Sequence, residues 1–250
     1  MDEKNSIEQI FKRKSIRKFK SKKIPKEIIE HIVKAGQNAP TGGGTQAYSL
    51  IIVSDQAKKD DISKLLGRQQ FMTDESLWIM ICVDWARQYK LWEMLGLDIK
   101  FGEMTKLWRG LMDAMLVAEN LVIAAKIHGL GSCFNGGVRM RMTEIGNILK
   151  LPENVLPVLL LCIGFPDEDP PERPRWPIET ILHENEYNMP SIQTMRKYYD
   201  DANMRLKDMG YFNKGVDSWA EHWEYRFSEK GNEILEERLR NQLKELSFSY

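Results

Sequence analysis

"LVIAAKIHGLGSCFNGGVR", residues 121–139, contains the switch on which the fold turns. Its first half is apolar nearly all round and completes a helix that runs back to Glu103. That helix should stop at Gly129, because glycine takes the left-handed backbone that ends helices. Its second half is a short strand that runs into a glycine turn. A helix with little polar face belongs at the centre of a core or in a subunit interface. The GxG spacing in "GLGSCFNGG" suggests a dinucleotide loop, but that fingerprint follows a strand, whereas this one follows a helix. On local chemistry alone the turn is open between a plain loop and a backbone that faces a ligand.

Working outward, a helix follows Thr143, and "VLPVLLLCIGF" at 155–165 reads as a strand. Upstream, "LWIMICVD" at 77–84 is apolar enough to be a strand buried on both faces. "YSLIIVS" at 48–54 is a further strand, and "DQAKKDDISKLLG" between the two is a helix closed by Gly67. Pro25 opens a helix carrying Ile28, Ile29, Ile32 and Val33 that ends near Gly36. Asn5 or Ser6 caps a short first helix bearing Ile7, Ile10 and Phe11. Residues 85–101 are expected as a helical excursion. Helices interleaved with about four strands specify an α+β or α/β sandwich. "PDEDPPERPRWP" at 166–177 is too proline-rich for regular structure and is an ordered loop or a linker. The last sixty or so residues are helical in pattern and lack strands, so they need a surface to pack on. Trp219 and Trp223 share one face there and are expected in a core.

The charges are uneven locally, not globally. The 250 residues hold 36 basic and 36 acidic side chains, which argues against a dedicated nucleic-acid domain. Yet "KRKSIRKFKSKK" at 12–23 places eight Lys or Arg in twelve positions, interleaved with Ile16 and Phe19. A nucleic-acid phosphate, a membrane surface or a small phosphorylated cofactor could each be its anion, and a solvated stretch that binds nothing is the alternative. Cys82, Cys133 and Cys162 lie far apart in apolar or Gly-rich runs and read as buried thiols of a reducing compartment. The four histidines show no metal-ligand spacing, so no metal is expected. The start lacks the apolar core of a signal peptide and no run spans a bilayer, which leads us to expect a cytoplasmic protein. No nucleophile sits beside an evident base, there is no P-loop after Gly42–Gly44, and any reaction would be carried by a bound cofactor.

Five segments, in order, resemble the FMN-dependent nitroreductase family. Arg13, Lys14, Ser15, Ile16, Arg17 and Phe19 look like its "RRSxRxF" opening. "NAPTGGGTQAYSLIIV" at 38–53 is similar to its "APSxxNxQPxxFIVV", and the opening quotation is similar to its "AAxxLGLGxxxxGG". "LKLPENVLPVLLLCIGFPDEDPPERPR" at 149–175 resembles its "LxLPexvxPvxxLxlGyPxexpxxKPR". "ILHENEY" at 181–187 stands where the larger-type oxygen-insensitive NAD(P)H nitroreductase and FMN reductase subgroup has "VHENxY". The resemblance covers essentially the whole chain.

It implies an α+β sandwich with a central mixed, mainly antiparallel sheet flanked by helices. Residues 1–190 would form the FMN-binding domain and 191–250 a helical extension packing on a homodimer. The implied function is transfer of a hydride from NADH or NADPH through flavin N5 to electron-poor acceptors such as nitroaromatics, quinones or free flavin, in a ping-pong sequence. The alternatives are another flavin reaction (dehalogenation, enone reduction or flavin fragmentation) or a non-catalytic flavin or anion binder. No membrane or nucleic-acid partner is implied. By resemblance, Arg13, Lys14 and Ser15 contact the FMN phosphate, Arg173 and Arg175 supply a second basic pair, and Arg17 faces the N1 and O2 edge of the ring. Phe134, Asn135, Gly136 and Gly137 approach the ring near N5 and O4. Gln69 lies at its polar edge, and Thr41 and Gly42 lie beside it. No side chain need act as a catalytic nucleophile. Arg139 and Lys214 are candidates for the nicotinamide nucleotide. The subgroup's arginine cluster is absent from "YFNKGVDSW" at 211–219, which leaves NADH and NADPH both open, and Lys14 stands where the family usually has Arg.

Overall fold

The computed structural model describes residues 3–73, 75–212, 215–246 and 248. The chain folds as two compact units, one of Met1–Pro170 with Glu236–Tyr250 and one of Pro171–Leu235. The first unit contains α1 (Glu3–Phe11), α2 (Lys26–Gln37), β1 (Tyr48–Val53), α3 (Gln56–Leu65), β2 (Leu77–Asp84), α4 (Ala86–Met94), α5 (Glu103–Ile127), β3 (Gly131–Asn135), α6 (Met142–Leu149) and β4 (Val155–Gly164). The second contains α7 (Ile192–Asp208) and α8 (Trp219–Arg226). Helix α9 (Glu229–Glu245) begins in the second and ends in the first.

The sheet order is β1-β2-β4-β3, and every strand pair is antiparallel. The parallel component expected of a mixed sheet is limited among the described residues to one isolated bridge, Ser15 to Ser132, where the N-terminal segment lies along edge strand β3. Strand β2 is apolar throughout because it serves two cores. Ile79, Ile81 and Val83 join Ile32, Val117 and Leu121 on the α2 and α5 side. Trp78, Met80 and Cys82 join Ile62, Ile145 and Leu160 on the α3 and α6 side. Opposite β2, register slips so that Ile81 faces Leu159 and Cys82 faces Pro157. Pro157 has no N–H for the ladder, and a bulge is how a strand interior tolerates it.

Helix α5 ends at His128 with Gly129 at φ 72°, as its sequence requires. The first helix starts at Glu3, ahead of the expected Asn5 or Ser6 cap. Of the excursion at 85–101, only α4 is helical. Trp85, Tyr89, Trp92 and Phe101 hold the rest by ring contacts of 5.2–6.2 Å. In the second unit, the Trp176 and Tyr198 rings stack at 3.9 Å. The expectation that Trp219 and Trp223 are core is corrected. They pack on each other at 4.6 Å along α8, with Trp219 half-buried and 6.0 Å from the Tyr198 ring and Trp223 38% exposed. Among the described residues no helix is long and apolar enough to cross a membrane.

Candidate functional site

The basic segment is part of the fold. Ile16 N donates to Ser132 O at 2.9 Å, Lys20 N to Phe165 O at 2.8 Å, and Asp167 N to Lys18 O at 2.9 Å. These bonds stitch residues 15–20 onto β3 and the end of β4. The two facing positions must be glycine, since a Cβ at Gly131 would stand 2.5 Å from Ile16 Cγ1 and one at Gly164 would stand 2.7 Å from the Phe19 ring. Burial of Ile16 then leaves Arg13, Lys14, Ser15 and Arg17 half-buried, while Lys12, Lys18, Lys20, Lys22 and Lys23 are exposed. The charge run thus divides into a held set and a solvated set.

Two acids oppose the held set, and the sequence reading did not single them out. Lys14 Nζ meets Asp169 Oδ1 at 2.8 Å, and that hydrogen bond, with the charge of Lys14 behind it, lowers the Asp169 carboxyl below its ordinary pKa. Glu168 Oε1 accepts from the backbone N–H of Arg17 and of Lys18. Arg13, Lys14, Lys126, Gly131, Ser132 and Asp169 line a cavity of about 90 Å³. A cavity of this size, lined by cations, admits a small anionic group.

Three residues beyond Ser132 comes the glycine turn. Asn135 is buried, its Oδ1 accepts from Gly137 N at 2.8 Å, and its Nδ2 reaches Met72 Sδ at 3.2 Å. Gly136 O accepts from Arg139 Nη1 at 2.7 Å, so the exposed Arg139 is tied to the same turn. Phe134 is half-buried just before it. Gln69 is exposed, and its carbonyl accepts from Met72 N at 2.9 Å, which joins its turn to Asn135 through Met72. The structure therefore brings Ser15, Phe134–Gly137, Arg139 and Gln69 to one edge of the first unit.

The Thr41–Gly44 loop is organised by a residue the sequence reading overlooked. Asp113, buried on α5, accepts from Thr41 Oγ1 at 2.6 Å, Gly42 N at 3.1 Å and Ala47 N at 3.0 Å. A buried carboxylate with three donors is satisfied and fixes the loop. Its signal was legible as a lone acid inside the apolar run "LMDAMLV". Arg173 and Arg175 lie in the second unit. The Arg173 guanidinium sits 4.7 Å over the Tyr211 ring, and Arg175 Nη1 donates to Pro174 O at 3.3 Å. Lys214 lies outside the described residues.

The model of the Nitroreductase family matches residues 10–165. The chain is 37% identical over 187 residues to a protein of Bacillus subtilis (strain 168) named "FMN reductase (NADPH)", covering 74% of this chain and 75% of that one. It is 35% identical over 207 residues to a "CR(VI) reductase" of Pseudomonas sp. (strain G-1), covering 82% and 85%. Among solved structures, the NADPH:FMN oxidoreductase of Vibrio harveyi complexed with NAD+ superposes with a TM-score of 0.82 at 25% identity, over 95% of this chain and 97% of that one.

Proposed function

The chain belongs to the nitroreductase family, and from that premise we propose that it is an FMN-dependent oxidoreductase. It uses NADH or NADPH as hydride donor and electron-poor acceptors such as nitroaromatics, quinones or free flavin. The observation that carries this reading is the stitching of Arg13–Arg17 onto β3, three residues before the Asn135–Gly137 turn.

The residues present fit the group. Two guanidinium groups, an ammonium and a hydroxyl within five residues form a donor set for a phosphate dianion, and the adjoining cavity admits a small anionic group. At the turn, a Cβ on Gly137 would press to 2.9 Å from Asn135 Oδ1, so glycine is what lets Asn135 accept from the Gly137 N–H and hold the turn in shape. Bound there, FMN supplies the two-electron chemistry that no side chain of the site offers. Arg13, Lys14 and Ser15 bind its phosphate. Asp169 gives up Lys14 to that anion, an exchange favoured because Asp169 is exposed and returns to water. Arg17, held by Glu168 at its own N–H and by Ser15 O at 3.5 Å from Nη1, supplies a fixed cation that favours the reduced ring. Gln69 orients the ring's polar edge, and Arg139 meets the nicotinamide nucleotide. Residues 191–250 are assigned to the helical extension that packs on a homodimer. Met104, Trp108, Met112, Met115 and Leu116, exposed along α5, support an interface there.

Titration of the apoprotein with FMN and with riboflavin tests the phosphate site. FMN is expected to bind about ten- to a hundredfold more tightly, the effect of one or two charge-assisted bonds, and Arg13→Ala should remove most of the difference. Equal affinity of the wild type for the two flavins would overturn the assignment.

A further inference from the structure

Residues 42–44 carry no side chains, and one cation fills the space that leaves. A Cβ on Gly42 would lie 3.8 Å from Arg109 Nη2, and one on Gly43 would lie 3.7 Å from it, whereas one on Gly44 would meet nothing within 4 Å. The Arg109 guanidinium therefore stands where a side chain at 42 or 43 would touch it, and any larger side chain there would cover it. Gly43 and Gly44 stand at φ 64° and 70°, so a non-glycine residue there would also strain the turn.

Arg109 is half-buried, with its guanidinium 5.4 Å over the Phe101 ring, and it has no carboxylate partner within 4.0 Å among the described residues. The acids that could neutralise it from its own helix are engaged elsewhere. Asp113, one turn on, spends both oxygens on Thr41, Gly42 and Ala47. Glu103 pairs with Lys106 at 2.6 Å. A guanidinium whose face is taken by an aromatic ring keeps its edge N–H groups for a planar, bidentate oxyanion.

From this we infer that Arg109 is the specificity determinant for acceptors bearing an anionic oxygen group, a carboxylate above all, at the Thr41–Gly44 loop. The inference rests on the oxidoreductase reading only in taking that loop as the acceptor's side of the site. Its anion-binding content stands on the geometry of Arg109 itself. The glycines act with the arginine, since they leave its edge uncovered.

The test has a binding arm and a turnover arm. Calorimetry of the holoenzyme with benzoate, which accepts no electrons, and with benzyl alcohol, its neutral counterpart, should show a preference for benzoate. Arg109→Gln should reduce that preference about tenfold, while Arg109→Lys, which keeps the charge but loses the bidentate edge, should retain only part of it. The ratio of kcat/KM for 4-nitrobenzoate to that for 4-nitrobenzyl alcohol should fall by a similar factor in Arg109→Gln. A wild type with no preference for benzoate, or one whose preference survives Arg109→Gln unchanged, overturns the inference. A wild type that binds benzoate through Arg109 yet oxidises neither NADH nor NADPH upholds the anion site and overturns the oxidoreductase reading instead.

Discussion

Gly131 and Gly164 set how closely the basic segment lies on the sheet, and their effect reaches the site through Ile16 and Phe19. Replacing Gly131 with Ala forces a Cβ into Ile16, and overpacking of this kind costs about 1–3 kcal/mol. Urea unfolding should report that loss and flavin titration a weaker discrimination of FMN from riboflavin. Undiminished stability would mean that the segment shifts freely. Arg17→Ala should leave FMN bound, though more weakly, and lower its midpoint potential by about 30 mV for each 1.4 kcal/mol of lost preference for the reduced ring. An unmoved potential in a redox titration would rule out the electrostatic role.

At the scale of elements, the sheet encloses all three thiols. Burial pushes the Cys82 and Cys162 thiols well up, with Asp84 adding to the first and Cys133 to the second. A raised folded pKa means that stability is complete below the free thiol's value of about 8.5 and is lost as pH climbs above it. Burial raises Tyr48, Tyr89 and Tyr198 too, which adds a further loss that begins at about pH 10, where the free phenol ionises. Urea midpoints should therefore fall from pH 8 to pH 10, and a disulfide reagent should label no thiol in the native protein and all three after unfolding. A thiol labelled in the folded state would contradict the burial of its strand. The strands and long helices were legible in the sequence because hydrophobic period and glycine punctuation are local properties. Strand order, the Ser15 to Ser132 bridge and the slip opposite Pro157 were not, since they join residues distant along the chain. The same reason hid Asp169 from the reading of Lys14 and Arg109 from that of the glycine loop. A run of lysines and arginines shows by itself no sign of which members are held. The resemblance to the family's opening singled out Arg13, Lys14 and Arg17, and the packing of Ile16 and Phe19 gives the physical reason that they, and not the neighbouring lysines, are half-buried.

At the scale of the molecule, an apolar row along one exposed face of α5 asks for a cover. Met104, Trp108 and Met112 recur one turn apart, and Trp108 is 67% exposed. A face of this kind on a helix that also fills a core is where a second copy would dock. Trp108→Glu should convert a dimer into a monomer in sedimentation velocity and weaken flavin binding with it, whereas an unchanged sedimentation coefficient would place the interface elsewhere. The most direct test of the whole reading is the anaerobic visible spectrum of the purified protein, before and after NADH and NADPH are added to separate samples. The expected result is a flavin band that at least one nucleotide bleaches. A protein that stays colourless after incubation with FMN, or a yellow one that neither nucleotide bleaches, would contradict it.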